Sequence, residues 1–467
     1  MKRKRILLIK PFSGRIDDIA PPLGLAYIAS YLRAEYPAQC DIRIVDLRIG
    51  NRQPSAIRFM AGQFKPDIVG VSACSEEDSK LHEIARYIKK QDKNIPVIAG
   101  GPHATMCSED ILDDTNIDIA VIGEGEISFC RIFEKLYDGG NVSGIPGIAY
   151  RENGTYIKTK PVELIGNLDE LPFPAWDLLD IDAYSNTGVL SMNLVMSGRK
   201  YMGIITSRGC PYKCIFCHNI FGRNFRKRSA ENVFSEIKLL REKYCIDEFH
   251  VFDDIFNLDL KRLHKICDMI IESGIDVKIC FPNGIRGDIL DSAAILKLKK
   301  AGTYMITFAL ESASDRIQKM IKKNINKKKL LQNIRCASRL GLLTKCYFMI
   351  GFPTETVDEM LETVDFACRA PLDFAGFFVV TPQKKTELYD IVKDNYAEFE
   401  LDYDSSCHYY AGKTSYEKVI KKPLKKIQRY AYRRFYLNIT RIIRLLVRMP
   451  RKIIVFRNAL KITGYFI

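Results

Sequence analysis

Residues 201–217 read YMGIITSRGCPYKCIFC, and this stretch places three cysteines directly after a short apolar run. A run of this length, bounded by glycine, predicts a buried β-strand. Cys210, Cys214 and Cys217 therefore follow the carboxyl end of a predicted strand. In barrels built from alternating strands and helices, that end of the strands carries the chemistry.

The same alternation of strands and helices continues to residue 390. The strand candidates are MGIITSRG, EFHVFDD, KICFPNG, YMITFALES, KCYFMIGF and AGFFVV, with amphipathic helices such as AENVFSEIKLLREKY between them. Six such units predict an α/β core over residues 201–390. We expect an open, partial (β/α)6 barrel of the TIM type rather than a full eight-fold barrel.

Residues 1–140 show a separate alternation. Its strand candidates are RILLIKPF, CDIRIVDL, DIVGVSAC, PVIAGGP and IDIAVIG. This pattern predicts a doubly wound, Rossmann-like parallel sheet, in which ligands bind beyond the carboxyl ends of the strands. Ser72, the run from Gly100 to His103 and the run from Gly123 to Glu126 stand at those ends.

Two further segments complete the chain. Residues 141–200 are predicted to be a linker, with a hairpin around Asn153-Gly154 and the only tryptophan, Trp176, at a domain junction. Residues 391–467 are predicted to be a basic, mostly helical region. Helical periodicity separates an apolar face from a basic side there, with Ile439, Ile442, Ile443 and Leu446 on the first and Arg441, Arg444 and Arg448 around the second.

Charge and cysteine content bound the class of protein. The net charge is +15, and the segment from Lys413 onward holds 16 basic residues and one acid, Glu417, which accounts for the whole excess. The basicity therefore belongs to the tail. The short apolar run near the N-terminus lacks a cleavage site and is interpreted as a strand. With 14 cysteines and no export signal, we expect reduced thiols in a cytoplasmic protein.

The cysteine triplet has the chemistry of a metal site. Three closely spaced thiolates can hold three irons of a [4Fe–4S] cubane and leave the fourth iron open to a small-molecule chelate. The alternative is a structural zinc site, for which the adjacent His218 could supply a fourth ligand.

The spacing CxxxCxxC after a strand resembles the radical S-adenosylmethionine superfamily, over roughly residues 201–390. The resemblance implies that the open iron binds the amino and carboxylate groups of S-adenosylmethionine and that a 5′-deoxyadenosyl radical then abstracts hydrogen from a substrate. Phe216 resembles the aromatic residue near the adenine. Asp253 and Asp254 match the polar residues for the methionine amino group.

Two later segments resemble further parts of that family. Glu311 and Ser312 match the end of its fourth strand, and Gly351, Pro353 and Glu355 match the fifth-strand segment beside the adenine. Asn283 and Arg286, in FPNGIRGD, are further candidate ligand contacts, with a surface loop as the alternative.

The N-terminal domain resembles the cobalamin-binding domain that precedes many radical S-adenosylmethionine enzymes. The resemblance implies cobalamin contacts at Pro22, Leu23, Gly24, Ser72, Gly100, Gly101, His103, Gly123, Glu124, Gly125 and Glu126. The D-x-H-x-x-G signature that supplies a lower cobalt ligand is absent. His103 is the nearby imidazole, and capping of a loop is the alternative role for it.

These resemblances predict a cobalamin-dependent radical methyltransferase that acts on an unactivated carbon. One alternative is a cyclase or rearrangement enzyme of the same architecture. Another is a tRNA methylthiotransferase with a second cluster on Cys40, Cys74 and Cys107, although Cys40 precedes its strand. A non-enzymatic alternative is a metal- or nucleic-acid-binding protein.

The expected partners follow from the same features. We expect a small-molecule or lipid-like substrate and an electron donor such as flavodoxin or ferredoxin. The basic tail predicts peripheral contact with an anionic membrane, or packing on the barrel with a basic outer face, in preference to RNA.

Overall fold

The computed structural model describes residues 3–13, 20–50, 52–186, 197–218, 220–396, 398–400 and 415–450. The chain divides into two compact units, Met1–Val189 and Leu190–Ile467.

The described part of the first unit contains a seven-stranded sheet in the order β2-β1-β3-β4-β5-β6-β7. Its strands are β1 (Lys4–Lys10), β2 (Cys40–Asp46), β3 (Ile68–Ser72), β4 (Val97–Gly100), β5 (Ile119–Val121), β6 (Ile148–Glu152) and β7 (Thr155–Lys158). Its helices are α1 (Leu23–Glu35), α2 (Ala56–Phe64), α3 (Asp78–Gln91), α4 (Gly101–Ile111), α5 (Gly125–Tyr137) and α6 (Ile181–Asn186). Strands β1 to β5 are parallel, which confirms the predicted Rossmann-like sheet.

The linker predicted over residues 141–200 begins inside this sheet. The predicted hairpin forms as β6 and β7, with its turn at Asn153 (φ 48°) and Gly154 (φ 81°). However, β6 pairs antiparallel with β5, and its Ile148 and Tyr150 are buried in the core of the unit. A domain boundary at residue 140 therefore divides one sheet. Trp176 is also buried within the first unit.

Helices α4 and α5 were not predicted from the sequence. Each begins at a glycine-rich stretch that is more typical of a turn, GGPHAT for α4 and GEGE for α5. In α4 the backbone also departs from helical geometry at Cys107 (φ −132°).

The second unit is built on six parallel strands in the order β15-β14-β13-β12-β11-β8. Its strands, with a short ladder of β9 and β10, are β8 (Tyr201–Ile204), β9 (Ser207–Arg208), β10 (Arg226–Lys227), β11 (Glu248–Val251), β12 (Lys278–Cys280), β13 (Thr303–Glu311), β14 (Leu343–Ile350) and β15 (Phe374–Val379). Its described helices are α7 (Ala230–Tyr244), α8 (Leu260–Ser273), α9 (Ser292–Lys300), α10 (Asp315–Met320), α11 (Lys327–Arg339), α12 (Val357–Arg369), α13 (Glu387–Asn395), α14 (Ser415–Ile420), α15 (Leu424–Tyr436) and α16 (Ile439–Arg448). Neighbouring strands follow chain order, which confirms the predicted partial barrel.

Helix α15 covers the open edge of this sheet. The Tyr436 hydroxyl accepts a hydrogen bond from the Ala375 N–H (3.1 Å) and donates one to the Ala375 carbonyl (3.0 Å). The Tyr432 hydroxyl likewise accepts from the Phe377 N–H (3.1 Å) and donates to the Phe377 carbonyl (3.3 Å). Side chains thus satisfy the backbone of edge strand β15, where an exposed strand would invite pairing with another chain. Helix α15 of the basic C-terminal region therefore contributes to the barrel unit, in line with the predicted alternative of packing on the barrel.

Within the described residues, no helix is long and apolar enough to cross a bilayer. The cysteines described by the structure are all free thiols.

Candidate functional site

The cysteine loop leaves β9 through a glycine that its geometry requires. Gly209 has φ +84°, and a Cβ there would lie 2.3 Å from the carbonyl oxygen of Asn224. The Cys210 N–H donates to the Gly222 carbonyl at 3.2 Å. The start of the loop is therefore held by the backbone that returns toward β10.

Ile215 fixes the middle of the loop. Its N–H donates to the Ile321 carbonyl at 3.2 Å, its carbonyl accepts from the Leu388 N–H at 3.0 Å, and its side chain is buried. Cys214 stays half-buried and Cys217 exposed on either side of this anchor. The loop thus presents thiols on a fixed backbone.

The thiols lie close enough to affect each other's ionisation. Burial raises the pKa of Cys210 and Cys214. Cys217 is exposed as a residue, but the protein around its thiol desolvates that group and raises its pKa to about 12, with further contributions from Cys214, Asp254 and Cys210. Three thiols on one loop fit the ligand set of an iron–sulfur cluster, whose positive irons favour the thiolate form.

Asp253 and Asp254, predicted as contacts to S-adenosylmethionine, have different environments. Asp253 is buried and accepts from the Thr206 N–H (2.6 Å), the Thr206 hydroxyl (2.5 Å) and the Ser207 hydroxyl (2.6 Å). Asp254 is exposed and accepts from the Gly209 N–H at 3.0 Å. Asp253 therefore holds the segment before the cysteines, whereas Asp254 faces solvent beside them.

Glu311 lies next to the loop in a backbone conformation that is unusual for glutamate. It has φ +69° at a shift in the β13–β14 register, and its carboxylate pairs with Lys323 at 2.6 Å. Burial alone would lower the pKa of Lys323, but the Glu311 and Cys214 charges raise it. Sequence analysis missed Lys323, because two adjacent lysines in a charged segment are normally expected to be exposed to solvent.

The segment after β14 is organised by Glu355. Its carboxylate is buried and accepts from the N–H groups of Gly351 (2.7 Å) and Phe352 (3.1 Å), while the Ser312 hydroxyl donates to it at 3.4 Å. Burial raises the pKa of Glu355 to about 7 against these hydrogen bonds. Glu355 and Ser312 thus hold the turn that contains Pro353.

Two aromatic contacts bring predicted residues together. Phe216 lies 6.0 Å from Phe352, ring centroid to ring centroid, so the cysteine loop meets the turn after β14. The ring of Tyr212, inside the cysteine loop, lies under the Arg286 guanidinium, with 3.9 Å between the Arg286 Cζ and the ring centroid. Arg286 thus contacts the loop, whereas the Asn283 amide donates to the Phe252 carbonyl at 2.9 Å.

In the first unit, the glycines near the carboxyl edge of the sheet are of two kinds: some are packed against neighbouring atoms, and others have open space where a side chain would be. At Gly101 (φ +85°) a Cβ would lie 2.7 Å from the Ser72 hydroxyl, and at Gly125 it would lie 2.9 Å from Ile28. By contrast, no described heavy atom comes within 4 Å of a Cβ built at Gly24, Gly100 or Gly123.

The three open glycines form backbone surface that a large ligand can approach closely. Gly24 is exposed in the first turn of α1, directly after the buried Pro22 and Leu23. Glu124 and Glu126, at the start of α5, are buried. The open backbone at Gly24, Gly100 and Gly123 fits cobalamin.

His103 is held by protein groups. Its Nε2 lies 2.6 Å from an Asp78 carboxylate oxygen, its Nδ1 lies 3.3 Å from the Ser75 hydroxyl, and it is 1% exposed. Burial lowers its pKa, but Asp78 outweighs this and raises the pKa to about 9. Both ring nitrogens thus lie beside protein partners, as expected for the loop-capping alternative.

The cysteines proposed for a second cluster do not converge. Cys40 is the first residue of β2, whereas Cys74 follows the carboxyl end of the parallel strand β3. Cys107 is buried within α4.

Comparisons with known proteins agree with both units. The family model of the radical SAM superfamily matches residues 204–367, and that of the B12 binding domain matches residues 9–133. An uncharacterized methyltransferase from Pyrococcus horikoshii, PH0819, is 34% identical over 398 residues, covering 84% of this chain and 83% of the relative. The chain belongs to the radical SAM enzymes that carry a B12-binding domain.

Two further proteins extend the comparison. The anaerobic magnesium-protoporphyrin IX monomethyl ester cyclase of Rubrivivax gelatinosus is 25% identical over 85% of this chain and 72% of its own. The radical S-adenosylmethionine methyltransferase TsrM of Kitasatospora setae, solved with cobalamin and a [4Fe–4S] cluster, has a TM-score of 0.68 at 19% identity, covering 85% of this chain and 75% of its own. The last similarity confirms the fold.

Family membership confirms the cofactors predicted from the sequence, which are a [4Fe–4S] cluster, S-adenosylmethionine and cobalamin. The chain is therefore an enzyme. Radical SAM enzymes typically need an electron donor and act on small-molecule substrates.

Proposed function

We propose that this radical SAM enzyme methylates an unactivated carbon of a small, or lipid-like, molecule. The observation that carries the proposal is the presence, in one chain, of a cysteine loop in a radical SAM unit and open glycine backbone in a B12-binding unit. When bound, the cluster and S-adenosylmethionine supply a radical that abstracts hydrogen, and cobalamin supplies a methyl carrier.

In this proposal the side chains have separate tasks. Cys210, Cys214 and Cys217 hold the cluster, and Ile215 keeps their loop in place. Asp254 and the turn of Gly351 and Phe352 provide polar and aromatic surface for S-adenosylmethionine. Each of these tasks is binding or orientation.

The remaining site residues serve the same two sites. Glu311, paired with Lys323, balances charge next to Cys214. In the first unit, Gly24, Gly100 and Gly123 give cobalamin access to the backbone. A reduced flavodoxin or ferredoxin supplies the electrons.

Product mass tests methyl transfer. The anaerobically reconstituted enzyme would be given cobalamin, a reductant, S-adenosylmethionine with a deuterated methyl group and a small-molecule extract of cells. We expect a product heavier by one methyl group in place of hydrogen, with deuterium retained, and none from Cys214→Ala. A product of unchanged carbon count would favour the cyclase alternative instead.

A further inference from the structure

Helix α16 turns its apolar face outward. Its five outward-facing residues are all aliphatic and between 38% and 73% exposed, namely Ile439, Ile442, Ile443, Leu446 and Val447. The only other exposed side chain of the helix is Thr440. A helix that docks on a globular protein normally buries such a stripe, so burial within the barrel unit does not explain this one.

Arginine occupies the inward face of the same helix. Arg441 is 5% exposed, and its guanidinium donates to the carbonyl oxygens of Leu372 (3.0 Å) and Cys368 (3.1 Å). It also lies 3.6 Å from the ring centroid of Phe435. Cys368 is in the last turn of α12, where a cation is favoured by the helix dipole.

Two more arginines fix the rotation of the helix. Arg444 pairs with Asp373 at 2.8 Å, and Arg448 donates to the Ser338 hydroxyl and carbonyl, both at 3.1 Å. The Asp373 side chain is 0% exposed. Rolling the aliphatic face inward would leave this buried carboxylate without its arginine partner, which is strongly unfavourable.

The exposed apolar side chains are concentrated at this place. Of the eleven large hydrophobic side chains exposed in the described residues, six lie between Leu437 and Val447. Ten helical residues span about 15 Å, so the face covers roughly 150 Å² at about 10 Å width. A stable protein interface buries about 800 Å² per partner. The face alone is therefore too small for a protein interface, but it suits an interfacial helix.

The neighbouring helix α15 supplies positive charge. Lys425, Lys426, Arg429 and Arg433 are exposed on it, and the sequence has no acid after Glu417. Two copies joined through α16 would each carry this excess of positive charge, which disfavours their association. An anionic lipid surface would attract the same charges.

We propose that α16 docks on an anionic lipid bilayer, with its aliphatic face at the boundary of headgroups and acyl chains. The exposed cations of α15 contact the lipid headgroups. The residues of this surface are different from those assigned to the cofactors, and the proposal does not depend on the reaction that the enzyme performs.

Vesicle co-sedimentation of the full chain tests this proposal. We expect binding to vesicles of equal phosphatidylglycerol and phosphatidylcholine, at least tenfold weaker binding to pure phosphatidylcholine, and weaker binding at high salt. The double variant Ile443→Gln/Leu446→Gln should lose at least tenfold in binding, because it removes apolar surface without adding charge.

The matched control is Phe59→Gln/Leu296→Gln, which changes two exposed apolar residues elsewhere and should bind like the unmodified chain. Both variants change exposed positions, and their thermal unfolding verifies the fold. Equal binding of the Ile443→Gln/Leu446→Gln variant and the unmodified chain would overturn the proposal.

A second variant distinguishes the other occupants of the face. A chain that ends at Pro450 should still bind anionic vesicles. If that shortened chain binds but the full chain does not, residues 451–467 cover the face and the proposal is wrong. A dimer of the full chain that Ile443→Gln/Leu446→Gln dissociates would equally overturn it.

Discussion

The two units prepare their cofactor sites by opposite means. In the second unit, side chains and loop backbone fix the site, since Asp253 holds residues 206–207 and Ile215 ties the cysteine loop to two other segments. In the first unit, the proposed cobalamin site is defined by missing side chains, at Gly24, Gly100 and Gly123. The difference suits the ligands, because a cluster needs placed thiolates and cobalamin needs close access to backbone.

Among the substitutions that test this comparison, removal of a cluster thiol should have the largest effect, which is loss of bound iron. Cys214→Ala takes one ligand from a three-cysteine site, so we expect iron to fall from about four atoms per chain to near zero. Cys336→Ala, a half-buried cysteine of α11, is the control and should keep about four. About eight irons in the unmodified chain would revive the methylthiotransferase alternative.

Filling the open glycines should affect cobalamin without unfolding the protein. Gly100 has an ordinary extended backbone with φ −143°, so Gly100→Leu should fold and yet weaken cobalamin binding at least tenfold. Gly166→Leu, at a glycine with similar open space, is the control and should bind normally. Unchanged affinity in Gly100→Leu would remove Gly100 from the site.

Gly101→Ala should instead destabilise the fold. Its φ of +85°, and the 2.7 Å between an added Cβ and the Ser72 hydroxyl, predict a loss of roughly 2–4 kcal/mol in unfolding free energy. Chemical denaturation measures this loss. Equal stability of Gly101→Ala and the unmodified chain would contradict the division between open and packed glycines.

Substituting the two adjacent aspartates one at a time should distinguish a residue that supports the fold from one that contacts the ligand. Asp253→Asn weakens three hydrogen bonds to a buried carboxylate and should cost about 2–3 kcal/mol of stability. Asp254→Asn changes an exposed group and should leave stability unchanged while weakening binding of S-adenosylmethionine. Denaturation and equilibrium binding check the pair, and the reverse result would exchange their roles.

His103 should contribute stability that depends on pH. Because its pKa is raised to about 9, its pairing with Asp78 stabilises the fold fully below about pH 6.5 and is lost as pH rises toward 9. His103→Gln should therefore cost about 2–3 kcal/mol at pH 6 and much less above pH 9. Its cobalamin absorption spectrum should match that of the unmodified protein, and an altered spectrum would make His103 a cobalt ligand.

The strands and the cysteine loop were predictable because their signals are local. Apolar β-branched runs such as those of β1 and β14 predict strands wherever they occur, and CxxxCxxC is a contiguous motif. The pairing of Glu311 with Lys323 was not predictable, since a register shift and a turn bring the two together.

The orientation of the C-terminal helices was also beyond the sequence. Periodicity places Ile443 and Arg444 on different faces of α16, but it does not state which face meets the protein. Helix α15 follows the expected rule, with Ile427 and Phe435 buried and Arg429 exposed. Helix α16 reverses it, because Asp373 and the carbonyls after α12 offer partners to arginine.

Release of 5′-deoxyadenosine tests the central claim most directly. The unmodified chain and Cys214→Ala would be reconstituted anaerobically side by side and incubated with S-adenosylmethionine and dithionite. We predict 5′-deoxyadenosine from the unmodified chain and none above background from Cys214→Ala. Equal amounts from both proteins would contradict the assignment of the cysteine loop as the origin of the radical.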